Sequence, residues 1–273
     1  ARIKDISRYG FRVRAEPYAG YPAGTPIRIF WSAFQKGQYF IGNISEDKKP
    51  HIIVDTAVVS SNEQVVYFPN KLSASYIVLA DINSYNEPDE GSHIRIIDVD
   101  LDKFYVRIDE LNAGDPHTSE TVGYIVLKKG TFKSKDGIII STKERKTGDD
   151  LVTTVYPVTF PDIPTIILDS QEEIDADTGT AVVWDATTTD VSYRFVESPS
   201  GNGKHIKEFV GLLITNSSIV WGYGAVPDGE AILSYIDEEY QAPVPLYIKF
   251  AFITPFYPKT TDDLTCIASA SID

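Results

Sequence analysis

The chain has 273 residues, 42% of them hydrophobic and 23% charged, with a formal net charge of −14. That composition supports a packed core and argues against disorder. The excess of 39 acidic over 25 basic residues leaves no concentrated basic stripe for nucleic acid or for an anionic membrane surface. A single cysteine, Cys266, excludes an intramolecular disulfide and a Cys-based zinc site. No apolar run approaches the roughly 20 residues of a bilayer-spanning helix, so membrane insertion is not expected.

In chain order, the predicted elements are short strands. Phe11–Arg14 and Ile27–Trp31 come first, then Ile52–Val54, Val65–Phe68, Tyr76–Leu79, His93–Ile97 and Phe104–Ile108. Tyr124–Leu127, Val158–Phe160, Thr165–Leu168, Val191–Phe195 and Val210–Ile214 follow, with Ile253–Tyr257 and Leu264–Ile267 near the end. These runs are rich in Val, Ile, Tyr and Phe, which suit a pleated surface, and turn residues interrupt them every eight to twelve positions. The 16 Pro and 18 Gly leave little room for helices of three turns. The expectation is an all-β chain of tandem antiparallel β-sandwiches.

One unit recurs. Phe11–Gly37 and Phe104–Gly130 both read as strand, long polar loop and closing strand, and Val191–Ile214 is a third version. Phe68-Pro69, Phe160-Pro161 and Phe256-Tyr257-Pro258 each precede another strand pattern. Taken as markers, these phenylalanines predict about three units, one of them split between the chain's ends. The organisation is then a closing hairpin over 1–46, sandwich A over 47–131, sandwich B over 132–218, and opening strands over 219–273. The halves of the split unit have two ways to cover their edges, closure within one chain or complementation between neighbours. Closure is expected, because the arithmetic comes near three equal units.

Strand-Phe-Pro, then Pro-x-Ile-Ile-Leu, a Val-Arg or aromatic strand and an Ile/Val-rich closing strand resemble the H-type lectin β-sandwich. His117–Val126 resembles the same closing-strand motif of bacterial and viral surface proteins. Where that family often carries Trp-Ile-Ala, this chain has Trp31-Ser32-Ala33, Tyr124-Ile125-Val126 and Leu212-Leu213-Ile214. The resemblance implies a lectin-like fold, a module also found in phage tails and other virion proteins, and symmetric oligomers.

His117 and His205 fall in equivalent long loops, and imidazole can hydrogen-bond sugar hydroxyls. They are the candidate ligand-binding residues, and the competing reading is loop surface. Asp98, Asp100 and Asp102 alternate with Val99 and Leu101, as on one face of a strand. Their spacing opens like an EF-hand loop, but Lys103 stands at the sixth position. Gly201–His205 lacks the spacing and helix of a phosphate loop. Tyr18, Tyr21, Tyr85 and Tyr223 lie in Gly/Pro/Asn-rich stretches and suit an interface or sugar stacking. With no nucleophile, base and orienter in recognisable spacing, no catalytic residue, cofactor or metal is expected.

The expected function is that of a structural virion protein, of the phage-tail or adhesion-apparatus kind, acting in assembly or host-surface attachment. Its expected partners are other copies of itself, other virion proteins and host glycans, and its expected place is the virion. The alternative is a soluble, extracellular carbohydrate-binding lectin.

Overall fold

The structure is a computed structural model that describes residues 2–7, 10–14, 27–35, 37–39, 52–72, 75–87, 91–110, 116–133, 139–174, 177–197, 204–216, 221–226, 230–234 and 248–256. Gly201–Gly203, Tyr18, Tyr21 and Cys266 lie outside them. The described residues are all-β and contain no helix.

The strands are β1 (Arg2–Ser7), β2 (Gly10–Arg14), β3 (Ile27–Gln35) and β4 (Gly37–Tyr39). Next come β5 (Ile52–Val59), β6 (Gln64–Tyr67), β7 (Tyr76–Ile82), β8 (Ser92–Val99), β9 (Lys103–Glu110) and β10 (Glu120–Lys128). β11 (Gly130–Lys133), β12 (Ile139–Thr147), β13 (Val152–Val155), β14 (Thr165–Ser170), β15 (Gly179–Ala186), β16 (Asp190–Glu197) and β17 (Glu208–Thr215) follow. The last are β18 (Trp221–Val226), β19 (Glu230–Ser234) and β20 (Ile248–Phe256).

One pairing scheme is used three times. An inner sheet runs β5-β10-β7, then β12-β17-β14, then β18-β3-β20. An outer sheet runs β6-β9-β8, then β13-β16-β15, then β19-β2-β1. In the third set, β3 and β2 come from the start of the chain and β18, β19 and β20 from its end. Ile253 of β20 pairs with Trp31, and Tyr223 of β18 pairs with Phe30. The strands nearest the two ends therefore share sheets within one chain. Tyr223, expected in a loop, lies within β18.

The same contacts between units also recur in a cycle. β7, β14 and β20 touch one another. β8 meets β14, β15 meets β20 and β1 meets β7; β17 meets β7, β3 meets β14 and β10 meets β20. Each unit thus meets the next through equivalent strands, which is pseudo-threefold symmetry. One parallel bridge, Val183 to Phe256, joins the outer sheet of one unit to the inner sheet of the next.

The sequence pattern follows from this placement. β9 and β16 alternate buried and half-buried residues, as expected for sheets with one wet face. β5, β7 and β10 instead begin or end in unbroken apolar runs. Ile53, Val78 and Val126 face their own sandwich with Phe104, Val106 and Ile96. Ile52, Val54, Ile77, Leu79, Ile125 and Leu127 point the other way and join the core that contains Leu212, Leu213 and Ile167 of the next unit. The inner sheet is buried on both faces, so both parities must be apolar.

Two expectations are corrected. The Phe-Pro markers are not equivalent positions. The Phe68 amide donates to the Asp102 carbonyl, as Tyr156 does to Thr189; the Leu72 amide donates to Leu101, as Phe160 does to Thr188. Phe68 therefore matches Tyr156, and Leu72 matches Phe160, so units A and B repeat every 88 residues (156 − 68) rather than 92. Two large side chains fill the same corner from slots four residues apart, which misleads a marker based on one residue type. Phe256, the third marker, ends β20, an inner-sheet strand that corresponds to β7 rather than to β6.

The units also interlock more closely than their expected boundaries suggest. β4 pairs with β5, and β11 with β12, so a closing strand continues after one residue into the edge of the following sheet. Gly130 makes this passage with φ of 140°, a conformation that disfavours a side chain. Gly37 opens β4 at the corresponding place.

A second glycine has a tight-packing role. A Cβ on Gly211 would lie 2.8 Å from Gln171 Nε2 and 3.1 Å from Ile77 Cβ of the neighbouring unit. Gln171 is itself fixed: Oε1 accepts from the Val78 amide at 2.7 Å, and Nε2 donates to the Val78 carbonyl at 2.6 Å. Gly211→Ala is expected to push this amide off Val78 and cost about 1–3 kcal/mol. Urea unfolding of the variant against the parent chain, with equal m-values, measures it.

Candidate functional site

The structure carries His117 and His205 below the surface, at 3% and 4% exposure. Each precedes its closing strand by three residues, and each faces a glutamate that opens that strand. His117 Nε2 is 3.5 Å from Glu120 Oε1, and His205 Nε2 is 3.4 Å from Glu208 Oε2. The other ring nitrogen faces the end of the preceding strand. His117 Nδ1 lies 3.2 Å from Glu110 Oε1, and His205 Nδ1 lies 3.7 Å from Glu197 Oε1. Units A and B thus hold one buried constellation of Glu, His and Glu in the same register.

Glu120 and Glu208 hold the loops that follow β7 and β14. Glu120 Oε1 accepts the amides of Asn86 at 2.8 Å and Glu87 at 3.3 Å. Glu208 Oε1 accepts the Ile174 amide at 2.8 Å. These carboxylates are wholly buried because backbone donors replace water around them.

At the junction of A and B the constellation extends across the units. Arg95 of β8 donates to Glu208 at 2.7 Å, with side-chain exposures of 1% and 0%. The Phe195 ring stacks on His205 at 4.3 Å between centroids, and the Arg95 guanidinium lies 5.9 Å from the Phe195 centroid. Asp169 of β14 accepts the Ala80 amide of β7 at 2.9 Å, and burial pushes its carboxyl well above the usual carboxylate range. His93, on the same strand as Arg95, is lowered from 6.5 to about 4, chiefly by burial. Arg95 adds to that lowering, while Asp109 and the Gly179 backbone act against it.

An open cleft of about 330 Å³ lies along the same junction. Tyr76, Asp98, Asp100 and Lys129 line it from unit A, and Glu144 and Phe209 from unit B. Lys129 donates to Glu144 at 2.6 Å across its floor.

The aspartates expected on one strand face are divided. Asp98 is the penultimate residue of β8, while Asp100 and Asp102 belong to the turn into β9, where the Asp100 amide donates to the Lys103 carbonyl. A register shift between Ile96 and Asp98 breaks the alternation that the spacing implied. The sequence brought forward both histidines but not Glu110, Glu120, Glu197, Glu208 or Arg95. The recoverable signal was His-x-x-Glu in both units, with Glu110 and Glu197 each seven or eight residues earlier.

No family model, curated protein or solved structure matches the chain.

Two outcomes are expected at the junction. Arg95→Met or Glu208→Gln alone is expected to cost about 3–5 kcal/mol, because each strands a buried partner. The double variant Arg95→Met/Glu208→Leu is expected to recover much of that loss, and a double-mutant cycle in urea measures both. For His93, the folded state resists a proton that the unfolded chain accepts near pH 6.5. Its contribution is therefore present above that pH and is lost as pH falls toward about 4. His93→Gln is expected to remove roughly 1–3 kcal/mol of the stability change between pH 7.5 and 4.5.

Proposed function

We propose that this chain is a structural component of a virion, of the phage-tail or adhesion-apparatus kind, built of lectin-like sandwiches. Its role is assembly, host-surface attachment or both, and it is not catalytic. The observation that carries the reading is the threefold recurrence of the same contacts between units. A body with pseudo-threefold shape seats on a threefold or sixfold axis while offering each neighbour a similar surface. Copies of the chain and other virion proteins are its partners in this reading. The net charge of −14 suits a protein that works beside, and not on, nucleic acid.

A second reading, an extracellular lectin, draws on the cleft between units A and B. Its Phe209 offers an apolar face, and Asp98, Asp100 and Glu144 offer acceptors for hydroxyl groups. Host glycans are the ligands this reading shares with attachment. The loops that carry His117 and His205 remain candidate contacts, with the imidazoles acting from beneath them.

Electron microscopy of the purified chain, immunogold labelling of particles and a glycan array separate the two. The virion reading expects ordered rings or stacks and label on particles. Glycan binding by a discrete soluble species, without label on particles, would replace it with the lectin reading. Turnover of a glycoside or peptide substrate, abolished by one point mutation, would overturn both.

A further inference from the structure

We propose that Glu87, Glu110 and His117 form a binding site for a divalent transition-metal cation, with zinc as the best match. One ligand atom from each residue lies within 4.8 Å of the other two. The inference is independent of the virion assignment.

The geometry carries it. His117 Nδ1 faces two carboxylates at once, Glu110 Oε1 at 3.2 Å and Glu87 Oε2 at 3.4 Å. A single ring N–H can serve one of those oxygens as donor, and the neutral ring with a bare Nδ1 serves neither. A cation between them serves all three atoms. Around tetrahedral zinc with bonds of about 2.0–2.1 Å, neighbouring ligand atoms stand about 3.3 Å apart, which both separations match. Two oxygens and one imidazole nitrogen suit zinc better than calcium or magnesium, which take oxygen-rich shells.

The surroundings are those of a metal-bound histidine. The imidazole is 3% exposed, so its orientation is set by packing. The remote nitrogen, Nε2, lies 3.5 Å from the buried Glu120 carboxylate without a hydrogen bond to it. A shift of a few tenths of an ångström would let Nε2–H donate to that carboxylate, the arrangement that leaves Nδ1 free for metal. Glu120 is held in turn by the Asn86 and Glu87 amides, so the residue that orients His117 also positions the Glu87 ligand. Glu87 Oε2 accepts the Thr118 amide at 2.6 Å, next to His117. Three protein ligands leave a fourth position for water or another oxygen donor.

The site would tie together three points at one end of unit A: the loop after β7, the end of β9 and the approach to β10. Composition and motif spacing hide it, because Glu87 comes from a different connection than Glu110 and His117 and the set includes no cysteine. Unit B repeats the histidine with both of its carboxylate neighbours, Glu197 and Glu208. Asp175, at the place of Glu87, lies outside the described residues.

The test uses the untagged full chain, stripped with chelator and titrated with Zn²⁺, Mn²⁺ and Ca²⁺ by calorimetry, with metal content measured after dialysis. Zinc is expected to bind most tightly and to raise Tm by about 5 °C at a hundredfold excess over Kd. Glu87→Gln/Glu110→Gln is expected to lose one equivalent relative to the parent chain, with an unchanged circular dichroism spectrum. Glu120→Gln, a positioning change, is expected to weaken binding about 10–100-fold while the metal-free protein stays folded. If the carboxylate variants do not fold, Co²⁺ in the parent chain reports directly, through the visible absorption of tetrahedral N/O coordination. Full zinc stoichiometry in the folded double variant would overturn the proposal. So would a parent chain that retains no zinc, prefers calcium or gives octahedral cobalt.

Discussion

Burial of the inner sheets of units A and B on both faces is the constraint from which the architecture follows. A β-sandwich needs one apolar face per sheet, and the outer sheets obey that rule. The inner sheet of unit A has a second apolar face, and water is an unsuitable neighbour for Ile52, Val54, Ile77, Leu79, Ile125 and Leu127. An isolated unit would present that face to solvent as a contiguous patch. The meeting of β7, β14 and β20 covers that face, and the apolar core on it runs on into unit B without a break. The stability of each sandwich is therefore not separable from that of its neighbours.

Apolar contact alone is a poor guide to register, since sliding by two residues preserves the pattern. The junction of A and B supplies polar fixtures that do not slide. Gln171 offers a donor and an acceptor to the main chain of Val78, in the manner of an added strand. Asp169 accepts from Ala80, two residues along the same strand. Arg95 closes the other side on Glu208, which is shared with the amide of Ile174. Each group is costly to bury without its partner, so each penalises the shifted arrangements.

The fold class was legible because strands announce themselves locally, through β-branched and aromatic runs between turns. The doubled apolar parity of Tyr76–Leu79 and Tyr124–Leu127 was visible too, but its cause lay in the neighbouring unit. Repetition was legible in outline and misread in detail: Phe68 and Phe160 were matched by residue type, whereas their hydrogen bonds match Phe68 to Tyr156. The histidines stood out because only four exist. Their burial was hidden, because a polar residue in a Gly- or Pro-rich loop looks exposed until its carboxylate partners are known. Most of those partners lie only three to eight residues away, at the ends of the flanking strands, and Glu87 alone is distant along the chain. In a sequence with 39 acidic residues, no single glutamate draws attention.

The three junctions are alike in backbone and unlike in chemistry. Register places Arg95, Val182 and Arg2 at one equivalent position of the outer sheets. Glu120, Glu208 and Ile27 hold the facing position that opens each closing strand. Around the cycle of equivalent strands, the backbone register sets the Arg95 position beside that of Glu208, the Val182 position beside that of Ile27 and the Arg2 position beside that of Glu120. Reversing the order of the units would set a charged residue type against an aliphatic one in two of the three places. Repeats alike in backbone thus differ in the residue types at their junctions, and duplication of the backbone does not entail freedom to exchange modules, either within a chain or between crowded copies folding side by side.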